Sequence, residues 1–272
     1  MSLNKTVFYP GWICLEEATI HAITSEATGY PKERLLDGNL KKGWKPTSTA
    51  NQDIWIDTNK TDLVSDTYVC GFFCKNYTTD HSNSAAATFA VLTSSVDSAG
   101  AGFLSGSISA AATPVQVFET ATVKTPQRYM KFTFANLATT MEISHLFFGK
   151  KITVNQGPQI PMNLQDLVYN RTIIDPGGGR MVSAESRDYL SPEVRRYTSV
   201  NSTIHDNLRN VFLYSRGGRH LMVIVDYLDA VAQTARVIRL GDGLPRPSSD
   251  FDIYDITVQI FPQPYFTDGY NY

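Results

Sequence analysis

Charge is scarce in this chain. Acidic and basic residues fill 18% of its 272 positions, below the quarter usual for a globular domain. The 24 Lys and Arg against 26 Asp and Glu leave a formal balance of −2. Without a basic excess there is no electrostatic footprint for nucleic acid, and none is expected as a partner. Cysteine is scarcer still. Cys14, Cys70 and Cys74 are odd in number and follow no regular spacing, which excludes the disulfide framework of a small secreted domain and points to folding in a reducing compartment. Long apolar runs are missing: LMVIV at 221–225 has the length of a strand, far from the ~20 residues that span a bilayer. The opening stretch MSLNKTVFYPGW lacks the apolar centre of a signal peptide. A soluble protein with no membrane partner is expected.

The usual signatures of chemistry are absent too. The histidines (His21, His81, His145, His205 and His220) include no pair two to four positions apart and no H-E-x-x-H, so no zinc site is expected. DPGGGRM at 175–181 has the glycines of a phosphate loop but neither a Walker Lys-Ser/Thr nor a G-x-G-x-x-G. GDGLPRP at 241–247 reads as a hairpin turn. No G-x-S-x-G occurs. One Asp-Gly-Asn at 37–39 falls short of the roughly six oxygen ligands of a calcium site. No catalytic residue, cofactor or metal ligand is therefore assigned, and the chain is expected not to be an enzyme. The mixed signs of Arg180, Arg187, Arg195 and Arg196 against Glu185, Asp188 and Glu193 suit a solvated or inter-subunit face.

What is present is β structure. Runs rich in β-branched and aromatic residues, bounded by Gly, Pro, Asn or Asp, fall at 53–58, 67–77, 87–95, 115–120, 128–135, 143–149, 152–154, 211–215, 220–228, 235–241 and 252–266. In TYVCGFFCKNY, Cys70, Phe72 and Cys74 share one face as core residues. HLMVIVDYL is apolar nearly throughout, as for a strand covered on both faces. In DIYDITVQIFPQP, Tyr254, Ile256, Val258 and Ile260 alternate with polar partners, and Pro262 and Pro264 end the pairing. Helices are expected at Pro192 to Tyr197, behind a Ser191 cap, and over NLQDLVYN at 163–170. The small, nearly uncharged segment 94–114 reads as a surface connection or an excursion at a sheet edge. Gly157, Pro158 and Pro161 punctuate the chain between two strand-rich halves, 1–155 and 156–272.

Three runs of the first half, in order, resemble the discoidin or galactose-binding-like family. LLDGNLKKGWKP at 35–46 is similar to its Asp-Gly loop followed by a Trp, and QDIWIDT at 52–58 to a core strand ending in Asp. RYMKFTFAN at 128–136 with MEISHLFFGKK at 141–151 is similar to its closing strands. The resemblance implies a jelly-roll β-sandwich over 1–155 and a host glycan as a ligand, with Asp37, Asn39 and Trp44 as candidate contacts. Trp44 has two readings: a ring stacked on a sugar, or a lid on the sandwich with its indole N–H on a carbonyl. The second half, from Arg209 to Phe266, resembles the ring-forming β domains of phage tail-tip proteins of the distal tail or baseplate hub class. That implies a C-terminal β-sandwich or barrel with one or two short helices. It further implies a non-enzymatic virion component, made in the host cytoplasm, that closes into a homo-oligomeric ring and docks other tail proteins. The alternative is a carbohydrate-binding protein. Tyr265, Phe266, Tyr270 and Tyr272 crowd the last residues and are expected at an assembly interface.

Overall fold

A computed structural model describes residues 5–10, 18–40, 42–61, 63–74, 87–97, 100–108, 115–156, 167–174, 181–189, 193–214, 221–228, 231–240 and 254–262. The first ten strands are β1 (Lys5–Pro10), β2 (Thr19–Ile23), β3 (Gln52–Asp57), β4 (Tyr68–Cys74), β5 (Thr88–Ser94), β6 (Ala101–Ser107), β7 (Val115–Glu119), β8 (Tyr129–Ala135), β9 (Ile143–Lys150) and β10 (Ile152–Val154). Then come β11 (Leu167–Ile174), β12 (Met181–Tyr189), β13 (Glu193–Val200), α1 (Ser202–Tyr214), β14 (Met222–Leu228), β15 (Val231–Leu240) and β16 (Tyr254–Pro262). The protein is all-β with one α-helix among the described residues.

Strands β2 to β9 form an antiparallel sandwich. A five-stranded sheet, ordered β2-β3-β8-β5-β6, faces a three-stranded sheet, β7-β4-β9. Period-two patterning drives this. In β3 and β8, Ile54, Ile56, Met130, Phe132 and Phe134 point inward, while Asp53, Trp55, Asp57, Tyr129, Lys131 and Thr133 point out. The interior is aromatic: Phe72 lies 5.0 Å from Phe134 and 5.3 Å from Phe89, at tilted or edge-on angles that favour ring pairs. Gly71 lets β4 approach β7, since a Cβ there would sit 2.0 Å from the Gln116 carbonyl oxygen. The segment 94–114 supplies the edge strand β6, held on β5 by a ladder from Thr88↔Ser107 to Thr93↔Ala101.

The second body does not begin at residue 156. β1 pairs with β10 on one side and β14 on the other, in a sheet ordered β10-β1-β14-β15-β16-β13. The sandwich is thus inserted between two neighbouring strands of the second sheet, and the expected 1–155 unit gives up both ends to it. This sheet is curled. Arg195 on the edge strand β13 is fully buried and donates to Thr6 Oγ1 on β1 at 3.2 Å, although three strands lie between them in the ladder order. Phe8, Tyr197, Met222, Ile224, Ile256, Val258 and Ile260 line the inner side and meet α1 through Leu208 and Val211.

The helix expectations fail here. Residues 193–200 form β13, and 167–170 begin β11. EVRRYTSV alternates Arg195 and Tyr197, both buried, with exposed Arg196, and its ladder to β16 overrides the Ser-Pro cap. The helix lies instead at Ser202–Tyr214, where 211–215 suggested a strand. Asn201 caps it, accepting from the Ile204 amide at 3.0 Å. Ile204, Leu208, Val211 and Phe212 carry the helical stripe.

The two bodies are packed together. Val7, Tyr9, Leu221, Val223 and Val225 on the back of the curled sheet meet Leu40, Val69, Phe73, Val115 and Phe147 of the sandwich. Each buried side chain of this kind contributes roughly 1.5–3 kcal/mol. Every residue of β4 is buried because its sheet is covered twice: Cys70, Phe72 and Cys74 face the sandwich interior, and Val69 and Phe73 face the seam. The Met222–Val225 run is covered twice as well: Met222 and Ile224 join the core that α1 completes, and Val223 and Val225 face the sandwich.

Candidate functional site

The loop from residue 31 to 46 is built as a closure. A 3-10 turn at Lys32–Leu35 buries Leu35. Asp37 Oδ1 accepts from the Asn39 amide at 2.8 Å, an Asx turn around Gly38, whose φ is +69°. Desolvation raises the Asp37 pKa, opposed by the Asn39 amide, Arg34 and Lys42. Trp44 then exchanges both backbone hydrogen bonds with Ile143, each 2.8 Å, and its indole N–H donates to the Ser25 carbonyl at 3.1 Å. The ring is 1% exposed. It has no face open for a sugar, so Trp44 leaves the candidate contacts as a lid of the sandwich. Asp37 and Asn39 remain exposed on the same loop. Tyr265, Phe266, Tyr270 and Tyr272 lie outside the described residues, as do Cys14, the 177–179 glycines and the 241–247 turn.

An aromatic and polar platform lies elsewhere, on the outer face of the five-stranded sheet. Register sets Asp53, Trp55 and Asp57 on β3 directly opposite Thr133, Lys131 and Tyr129 on β8. A bulge between Ile20 and Ala22 brings His21 into this row. His21 meets Trp55 edge-on at 6.4 Å and Tyr129 at 6.2 Å, and its Nε2 lies 3.4 Å from Asp97. Lys131 Nζ sits over the Trp55 ring at 5.2 Å and donates to Asp53 at 2.9 Å, while Thr133 Oγ1 donates to the other Asp53 oxygen at 2.7 Å. The Arg128 fork grips Asp57 through bonds of 2.8 and 2.7 Å and lies over Tyr129 at 5.2 Å. The Arg128 hydrogen bonds hold the Asp57 carboxyl below its ordinary value.

Chemically, this surface can bind. Its rings are half-buried and partly open to solvent, and planar hydrogen-bonding groups surround them. Asp57 is held in an ion pair with Arg128, and Asp53 in one with Lys131. The sequence contained the signal: QDIWIDT alternates Ile with Asp-Trp-Asp, which puts Trp55 on the polar side of its strand.

No protein-family model and no curated protein matches the chain. Among solved structures it is similar to carbohydrate-binding modules of family 32. One, from Clostridium perfringens NanJ in complex with galactose, is 12% identical with a TM-score of 0.39, over 53% of this chain and 98% of that one. The family 32 module of AlyQ, in complex with 4,5-unsaturated mannuronic acid, is 20% identical with a TM-score of 0.34, over 48% and 95%. A chitosan-binding module from a Paenibacillus chitosanase/glucanase is 12% identical with a TM-score of 0.37, over 50% and 96%. At such scores the likeness assigns no function to this chain.

Proposed function

We propose that the chain is a carbohydrate-binding protein whose sandwich holds a glycan on the outer face of its five-stranded sheet. One observation carries this reading: the Asp53-Trp55-Asp57 row beside Tyr129, Lys131 and Thr133, with aromatic surface flanked by polar groups. A pyranose has an apolar face and a polar rim, and such a surface matches both. A sugar on Trp55 displaces Lys131 from the ring, which costs about 0.5–1 kcal/mol for an exposed cation–π contact. Galactose and 4,5-unsaturated mannuronic acid, the ligands of the modules named above, are the first probes. The test is a glycan array followed by titration calorimetry with wild type and Trp55→Ala. Binding by the wild type that falls about tenfold or more in Trp55→Ala, at unchanged stability, is expected. An array on which the wild type binds nothing ends this reading.

A second reading is assembly into the ring of a phage tail tip, inside a virion. It is favoured by the hairpin β11–β12, which forms a two-stranded sheet of its own. A lone two-stranded hairpin is marginal in water, and a neighbouring copy is a natural cover for it. Light scattering on the full chain and on a chain lacking 167–189 tests this: a stable wild-type monomer at high concentration removes it.

A further inference from the structure

We propose a second, separate saccharide site in the cleft where the chain leaves the sandwich and enters the curled sheet. The cleft holds about 390 Å³, within the range of small-molecule pockets. One wall is Asp66 and Lys150 of the sandwich, the floor is Thr153 and Asn155 in and just after β10, and the other wall is Asn210 and Tyr214 of α1. Asn207 Nδ2 donates to the Thr153 carbonyl at 3.0 Å, which fastens α1 to β10 and sets the width of the opening.

The charge in the cleft is already balanced. Lys150 Nζ lies 3.0 Å from Asp66 and over the Tyr214 ring at 5.5 Å. Lys151 is paired with Glu119, which also accepts from the Tyr9 hydroxyl. Among the described residues that line the cleft, both cations are paired with carboxylates. The unspent groups are neutral: the carboxamides of Asn155 and Asn210 are exposed and make no hydrogen bond among the described residues. Each carboxamide offers a donor and an acceptor side by side, which is the pattern that a pair of adjacent hydroxyls satisfies. Tyr214, half-buried, supplies ring surface for the apolar face of a pyranose. The chemistry selects one neutral sugar residue, gripped between the sandwich and α1.

This site does not depend on the Trp55 platform, and the same experiment separates the two. Full-length ¹⁵N-labelled protein is titrated with methyl β-galactoside, methyl α-glucoside, glucuronate and inorganic phosphate, as wild type, Trp55→Ala and the double variant Asn155→Ala/Asn210→Ala. The expected result is that a neutral glycoside shifts the amides of 150–155 and 207–214. Its affinity then falls about tenfold or more in the double variant and is unchanged in Trp55→Ala. Both side chains are exposed and make no hydrogen bond among the described residues, so the double variant is expected to keep the wild-type unfolding midpoint. The proposal is overturned if no neutral glycoside moves those amides, if only Trp55→Ala loses binding, or if glucuronate or phosphate binds there and neutral sugars do not.

Discussion

Trp44→Ala is the sharpest probe of how the sandwich is closed. The indole is 1% exposed and lies in the main core cluster with Leu35, Leu36, Met141 and Ile143. Removing it empties a space that the backbone cannot refill, because residue 44 is pinned by two hydrogen bonds to Ile143. Large aromatic-to-alanine changes in cores cost roughly 3–5 kcal/mol. The Ser25 carbonyl loses its indole partner, which adds about 1 kcal/mol. The total is roughly 4–6 kcal/mol, a large share of a typical folding free energy. Trp44→Phe keeps a ring in place and is expected to lose only about 1–3 kcal/mol, for the donor and a partial cavity. Urea unfolding followed by circular dichroism, with the midpoint compared at constant slope, measures both. Glycan affinity of folded Trp44→Phe should match wild type within about twofold, since the ring touches no solvent. The reasoning is refuted if Trp44→Ala costs under about 1 kcal/mol, or if Trp44→Phe abolishes binding while leaving stability intact.

Three further outcomes are expected. Asp57 has a folded pKa below its unfolded value, so its contribution is complete above about pH 4 and is lost as pH falls through the lower folded value; Asp57→Asn should flatten that acid limb in pH-dependent unfolding curves. Gly71→Ala places a methyl against the Gln116 carbonyl, which the β4–β7 ladder holds in position; a loss of about 3 kcal/mol or more, seen as little folded protein on expression, is expected. Cys70 and Cys74 are buried, and desolvation pushes the Cys70 thiol up. Peptide mapping after iodoacetamide should therefore find both unmodified in native protein and alkylated in urea.

Strands with strong alternation were legible from residues alone. Ile54 and Ile56, or Ile256, Val258 and Ile260, announce their faces, and the Met222–Val225 run announces double coverage. What misled was local chemistry outvoted by distant pairing. Ser191-Pro192 looks like a helix start, yet the residues after it complete a sheet edge against β16. Asn201 with Ile204, Leu208 and Val211 is an equally local helix signal, obscured because VFLYS also reads as a strand. Insertion was invisible for a different reason: KTVFYP is six residues long, and nothing in it names partners in β10 and β14. For the site, the Asp-Gly loop drew attention through its turn chemistry, while Trp55 was hidden in plain alternation. The His21 bulge and the cleft beside α1 depend on register and on packing, which no single segment encodes.

The placement of β1 also sets a clock. Thr6 must pair with Val154 and with Asp226. On the ribosome, at roughly 5–20 residues per second, Val7, Phe8 and Tyr9 wait on the order of 10–40 s for their last neighbour, while the sandwich between them can already close. A nascent chain that carries a bare apolar strand for that long is a natural client for a holding chaperone. A permuted gene that encodes residues 5–10 after β16 shortens that wait, and should depend less on such help.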